Sequence, residues 1–317
     1  MKLNPFKLNP FTSRPLIGLD IQPSEIRLAQ LRHMKSGFLV EQAAITRLPD
    51  GVFNEGRIKR WEVVQEKLTE TVQQLDIAGM ITAILLPASL VHMQQIQIPH
   101  GLPEAAIEAE IKVQLERDFP GFTDSLLMDF HMVNAKESGY ADVFFVVTRQ
   151  EYVSQYVDCI NSTGLRVKIV DVDVHALKRV FTGALPLTNK TQEVHALICH
   201  VNRVVTFIIF THSEIIFHHQ WEINADNEFL PQLKIRIHLF VTTFPDRKLR
   251  KISIYSHHQH VRECINNTEL NQEFDIDFPD PLDSIKLNHK NTQHIHAENI
   301  RDFLLACGAA MCEVPRW

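Results

Sequence analysis

No stretch of this 317-residue chain is apolar for long enough to cross a bilayer. Runs such as Val143–Val147 and Val204–Phe210 fall far short of the roughly 20 residues a membrane helix needs. No charged start followed by an apolar core opens the chain either, so export is not expected. Dense runs of Lys and Arg are missing too. Net charge is −6, from 32 basic and 38 acidic residues, whereas nucleic-acid binders normally carry a basic stripe. Cysteine is sparse: Cys159, Cys199, Cys264, Cys307 and Cys312 are odd in number and scattered. That pattern predicts buried thiols in a reducing cytosol, neither a disulfide frame nor a zinc site.

What is present is a hydrophobic share of 45%, enough for one large or two medium domains with well-formed cores. Histidine is plentiful, at 17 residues, with clusters at His218–His219, in the HHQH of 257–260, and at His294 with His296. Imidazoles three apart on a helix can share a metal. No Cys or carboxylate completes such a set at a familiar spacing, so polar surface is the expectation and no metal is assigned. The start, MKLNPFKLNPF, repeats KLNPF; its Asn-Pro steps forbid a helix. Residues 1–14 are read as a mobile tail, or as a short adhesive arm touching a membrane surface or partner.

The ordered part opens on a strand meander: Leu16–Ile21, Glu25–His33 after Gln22-Pro23-Ser24, and Phe38–Ile45 after Lys-Ser-Gly. From Arg60 the apolar spacing switches to three and four, through Trp61, Val64, Leu68, Val72 and Leu75, which is a helix with a core face. Strands return at Ala83–Leu86 and Val91–Ile98. Pro103 then opens a helix with Ile107, Ile111, Leu115 and Phe119 on one stripe, and Pro120-Gly121 stops it. The alternation of Met128–Met132 predicts a strand, with Asp129 as a turn or edge anchor. A strand at Val143–Val147, a helix over Gln150–Ser162 ending at Gly164 and a strand at Leu165–Val172 complete a right-handed crossover. The second half repeats the theme. A meander over His195–Val201, Val204–Thr211 and Glu214–His219 precedes a helix over Glu228–Phe244, a strand at Lys251–Tyr255 and a helix from His260. Ile300–Cys307 closes the chain helically at Gly308. Two halves of one design imply an internal duplication.

A meander whose first turn follows an acid, repeated in a second half, resembles the actin/Hsp70 ATPase fold. Within it the chain resembles the PilM family of type IV pilus assembly. The resemblance rests on Ile17-Gly18-Leu19-Asp20-Ile21 with Arg27, on LPDGVFNEG (48–56), and above all on IPHGLPEAAIEAEIKVQLERDFPGFTDSLLMDFHMV (98–133). It continues through VVTRQEYVSQYVDCINSTGLRVKIVDVD (146–173) and FLLACGAAM (303–311). It implies an α/β fold of two actin-like (ribonuclease H-like) domains. The first spans 15–185 with an α+β subdomain inserted at about 84–165; the second, 186–317, is truncated.

Nucleotide-binding relatives grip ATP through three glycine-bearing turns. The first needs Gly and hydroxyls around the phosphates. Here Gln22 brings a side chain, Pro23 removes an N–H and Glu25 adds a negative charge. Asp20, Ser24 and Arg27 remain as a vestigial phosphate turn. The second turn should bring an acid and a glycine, but the sequence is Ile198-Cys199-His200-Val201-Asn202. The adenosine turn should be Gly-Gly, but Ser256-His257-His258 stands there. After Trp221, Glu222-Ile223-Asn224-Ala225 leads directly to the next helix, so the helical lid over a nucleotide is missing.

The expectation is therefore a cytoplasmic scaffold on the inner face of the inner membrane, without catalytic residues, cofactor or direct membrane contact. By resemblance it receives the N-terminal cytoplasmic tail of a PilN-like membrane protein between the first and the inserted subdomain. Such a peptide binds by apolar anchors and backbone bonds to an edge strand. Val91, Met93, Glu110 and Gln114 are the candidate contacts. The alternative is an active ATPase, using ATP with Mg, whose nucleotide state gates partner binding. A metal-dependent module built on the histidines is a third reading. The type II secretion counterpart, fused to a membrane segment, is a fourth, disfavoured because the chain ends at Trp317 soon after the closing helix.

Overall fold

The computed structural model describes residues 16–34, 37–121, 125–135, 139–182, 193–201, 203–211, 214–256, 258–266, 268–281, 285–287 and 301–312. The 1–14 tail, Asn202, His257, His294 and His296 lie outside them. The described residues form two compact units, one drawn from 1–180 and 285–317, the other from 181–284.

In the first unit, β1 (Leu16–Ile21), β2 (Glu25–Met34) and β3 (Gly37–Arg47) form the expected antiparallel meander. The hairpin of β4 (Phe53–Asn54) and β5 (Arg57–Ile58) leads to α1 (Trp61–Leu75), which buries Val64, Leu68 and Val72, the residues of the three-and-four spacing. β6 (Ile81–Leu86) then runs parallel to β1. Next comes a separate antiparallel sheet in the order β7-β9-β8, from β7 (Val91–Pro99), β8 (Leu126–Ala135) and β9 (Tyr140–Arg149). Between its first two strands lies α2 (Glu104–Asp118), whose Ile107, Ile111 and Leu115 pack on Ile98, Val143, Phe145 and Val147.

The chain rejoins the main sheet through α3 (Gln150–Ser162) and β10 (Arg166–Val172), the latter parallel to β6. α3 packs edge-on against α1 through Tyr156 and Trp61 (ring centroids 4.9 Å apart). A further helix, α4 (Asp173–Thr182), follows β10.

The second unit carries the meander β11 (Glu193–Val201), β12 (Val204–Phe210) and β13 (Ile215–Glu222). Residues 223–228, with one 3-10 turn, connect β13 to α5 (Phe229–Thr243), so no helical subdomain intervenes. β14 (Lys248–Ser256) pairs parallel with β11; then come α6 (Gln259–Asn266), α7 (Leu270–Glu273) and β15 (Asp275–Asp277), parallel to β14. Val194, Ala196 and Ile198 of β11 meet Leu233, Ile237 and Phe240 of α5 in the core. The strand orders β3-β2-β1-β6-β10 and β13-β12-β11-β14-β15 repeat one another, so the duplication is present in the topology.

The last segments depart from the expected 186–317 domain. β16 (Ile285–Leu287) pairs parallel with β3, and α8 (Leu304–Ala310) packs on the first sheet, so both belong to the first unit. Gly308 does not stop α8, which runs two residues further. Both Gly18 and Gly308 serve close approach: a Cβ on Gly18 would sit 1.9 Å from the Ala306 carbonyl oxygen, and one on Gly308 would sit 2.2 Å from that of Ala176. β1, α8 and α4 therefore touch backbone to backbone. Arg179 of α4 strengthens the join by donating to the Gly308 carbonyl and, at 2.6 Å, to Asp171. All five cysteines are free; Cys159, Cys199 and Cys307 are buried, whereas Cys264 is exposed and Cys312 partly so.

Candidate functional site

The hairpin between β1 and β2 is closed by its own backbone. The Gln22 N–H donates to the Glu25 carbonyl at 2.9 Å and the Glu25 N–H to that of Gln22 at 3.3 Å. Pro23 has no N–H, and the Ser24 carbonyl accepts from Leu48 at 2.8 Å. Asp20, 2% exposed, stands opposite Arg27 in the strand register. Nη1 of Arg27 donates to Oδ2 of Asp20 at 3.4 Å, Nε2 of Gln22 donates to Oδ1 at 2.7 Å, and Nη2 of Arg27 donates to Glu25. Burial pushes the Asp20 carboxyl above its ordinary range, and Arg27 and Gln22 offset this only in part. Of the three residues read as a vestigial phosphate turn, the structure joins Asp20 and Arg27 and leaves Ser24 exposed at the tip.

Beneath this hairpin lies a polar group that the sequence reading did not single out. Asp173, in the first turn of α4, accepts from the N–H of Ala88 at 3.0 Å and of Val174 at 2.7 Å. Burial nevertheless lifts its carboxyl to about 7, with the charges of Asp20 and Asp171 adding to the rise. The Tyr156 hydroxyl is buried without a hydrogen-bond partner; burial, then the fields of Asp20 and Asp173, push it above the usual phenol range. Two residues back, burial would raise Asp171, but Arg179 at 2.6 Å holds it below the usual range. His175 is lowered by burial to about 4. The available signal was the alternation Val170-Asp171-Val172-Asp173 running into Val174, Leu177 and Val180, with an acid opening a helix.

In the second unit, the end of β11 and the end of β14 meet through histidines. His200, 1% exposed, stacks on His258 (ring centroids 4.5 Å apart) and on Phe229 (5.5 Å). Its Nδ1 lies 3.1 Å from the Ser256 hydroxyl, which accepts from the His258 N–H at 3.0 Å. Aromatic and imidazole rings thus occupy the space between the two turns. Among the described residues no group of three or more His, Cys, Asp and Glu is placed to hold a metal ion.

The four candidate partner contacts fall on different faces of the inserted body. β7 is an edge strand, and its pairing sets Val91 against Thr148 and Met93 against Val146, on the face away from α2. That alternation follows from Val143, Phe145 and Val147 facing the helix. Glu110 and Gln114 lie on α2 itself, Glu110 exposed and Gln114 donating to Asp118 at 3.1 Å. The structure therefore pairs Val91 with Met93 and Glu110 with Gln114 but does not gather the four into one patch.

Two sheets of matching strand order, each a meander followed by parallel αβ strands, place the chain in the actin-like ATPase fold class. More narrowly, the chain belongs to the family of type IV pilus assembly protein PilM, whose model matches residues 18–223. Among solved structures, the PilM–PilN type IV pilus biogenesis complex is similar over 93% of this chain and 97% of that one, with a TM-score of 0.73 and 14% identity. The cytoplasmic domain of EpsL, an inner-membrane component of the type II secretion system of Vibrio cholerae, matches at a TM-score of 0.51 and 14% identity, covering 95% of this chain and 96% of that one. At such identities the likeness is one of fold. No helix among the described residues is long and apolar enough to cross a membrane.

Proposed function

We propose that the protein is a scaffold of the inner-membrane platform that assembles a type IV pilus. It works without nucleotide, at the cytoplasmic face, and receives the N-terminal cytoplasmic tail of a PilN-like membrane protein. Family membership and the similarity to a PilM–PilN complex support the setting. The observation that carries the nucleotide-free reading is the closed hairpin: its N–H groups bond each other, and Asp20 is held by Gln22 and Arg27. A phosphate entering there would face Glu25 and displace an ion pair. The stacked His200 and His258 argue the same way for the second unit.

For the partner, edge strand β7 supplies the template. An extended tail paired with β7 points alternate side chains to opposite faces. That arrangement lets one peptide reach Val91 and Met93 on one side and Glu110 and Gln114 on the other. The alternative, an ATPase that gates partner binding, has one observation in its favour: Asp173 is a buried carboxyl that titrates near 7, the range suited to a general base.

A thermal melt with and without excess Mg-ATP, followed by calorimetric titration, separates the two. A ligand at a hundred times its Kd adds about 2.7 kcal/mol to the native state. The expected result is no shift and no heat with Mg-ATP, together with measurable heat from a synthetic PilN-like tail peptide that is lost in Met93→Glu. A clear shift with Mg-ATP would show that nucleotide binds and would overturn the nucleotide-free reading.

A further inference from the structure

Helix α5 carries large aliphatic residues on its outward as well as its buried face. It buries Phe229, Leu233, Ile237 and Phe240, yet its outward face carries Ile235 at 59% exposure and Leu239 at 47%, with Val241 exposed on the opposite flank. Ile235 and Leu239 stand one turn apart, so they are neighbours on the surface. Surface helices of globular proteins normally keep that face polar, and grouped exposed aliphatics mark contact sites.

The charges on the helix itself are of one sign, although Asp226 and Glu228 precede it and Asp246 follows it. α5 itself has Lys234, Arg236 and His238 and no acid, and the chain leaving its C-terminal end adds Arg247, Lys248, Arg250 and Lys251. Residues 229–256 hold six Lys and Arg against one acid, a net of +5. The whole chain is −6, so the remainder carries −11; the overall acidity hides a basic segment. Arg236 is stacked over Trp221 at 4.1 Å and Lys251 is paired with Asp277 at 2.6 Å, whereas Lys234, Lys248 and Arg250 are exposed.

We propose that the outward face of α5, with the cations on it and at its C-terminal end, rests directly on an anionic lipid surface. Aliphatic side chains enter the acyl boundary while neighbouring ammonium and guanidinium groups meet lipid phosphates. Charge complementarity selects an acidic partner, and shape selects a bilayer over an acidic polypeptide. Ile235 and Leu239 project from the crown of a helix, a convex surface that offers a peptide neither a groove nor an edge strand. The chain would then touch the membrane itself, independently of any partner's tail and of the nucleotide question.

The test is flotation of the full chain with vesicles of phosphatidylethanolamine containing phosphatidylglycerol as the minority lipid, against vesicles of phosphatidylcholine alone. The protein is expected to float with the anionic vesicles, to release as salt is raised, and to stay behind with the neutral ones. Ile235→Ser with Leu239→Ser, checked for native folding by circular dichroism, should lower partitioning about tenfold or more. Lys234→Glu, on the helix itself, should weaken it as well, which keeps the outcome readable if the first variant misfolds. Equal flotation on neutral vesicles, no flotation at all, or unaltered flotation of the serine variant would overturn the proposal. So would binding of a poly-glutamate peptide through Ile235 and Leu239 without vesicle binding, which would give the face to an acidic polypeptide.

Discussion

Tyr156 presents a phenol to two carboxyl groups and bonds to neither. A buried hydroxyl without a partner costs stability, so Tyr156→Phe is expected to stabilise the protein by about 1 kcal/mol in urea denaturation. A loss of stability would show that the hydroxyl is engaged. Asp173 and His175 make an opposed pair. Asp173 titrates near 7 when folded against an ordinary 3.8, so the native state holds a proton that the unfolded chain releases, and acidification stabilises. His175 falls from 6.5 to about 4, so the unfolded chain takes up a proton that the native state refuses, and acidification destabilises. Between pH 6.5 and pH 4 the two effects offset each other. Asp173→Asn should therefore lose stability relative to the parent as pH falls through that window, by up to about 1.4 kcal/mol per pH unit. His175→Gln should show the reverse slope, and urea melts at the two ends of the window measure both. At this scale the sequence was half legible. Asp20 and Arg27 were read as parts of one phosphate turn, and the hairpin register brings the two together. Asp173, His175 and Tyr156 could not be read in this way, because their chemistry comes from depth, and depth depends on which helices cover them.

Among the elements, α2 was the most legible: a proline start, a stripe at four-residue spacing and a Pro-Gly stop each point to the same helix. Its hold on the inserted sheet rests on that stripe, and Ile111 is fully buried in it. Ile111→Ala is expected to cost about 2–5 kcal/mol by chemical denaturation. α4 was passed over because its buried Val174, Ala176, Leu177 and Val180 are mixed with His175, Lys178 and Arg179. Those polar residues are not surface decoration; Arg179 bonds Asp171 and the Gly308 carbonyl. Glycines in Ile17-Gly18-Leu19-Asp20 and Cys307-Gly308 resemble a family signature, but here they meet a packing need. Gly18→Ala or Gly308→Ala would drive a methyl group into a carbonyl of another element, and backbone cannot step aside as a side chain can. Each should lower stability by about 3 kcal/mol or more, seen as an earlier melt.

At the level of the whole molecule, the duplication was legible because each half repeats a meander and a crossover, patterns that local periodicity records. Where the second half ends was not. The pairing of Ile285 with Phe38 joins positions far apart in the chain, and nothing local to either residue announces it. Removing residues 285–317 is thus expected to expose β1 to β3 to hydrogen exchange while β11 to β14 keep their protection. Loss of protection in both units alike would contradict the division. This interleaving also sets a timetable for synthesis. As the chain leaves the ribosome, the segment that makes the second unit emerges before β16 and α8 do. The later-encoded unit can close first, and the earlier-encoded one must wait with Gly18 uncovered. At about 5–20 residues per second the wait lasts some seconds, during which the apolar faces of the first sheet are open to whatever holds nascent chains.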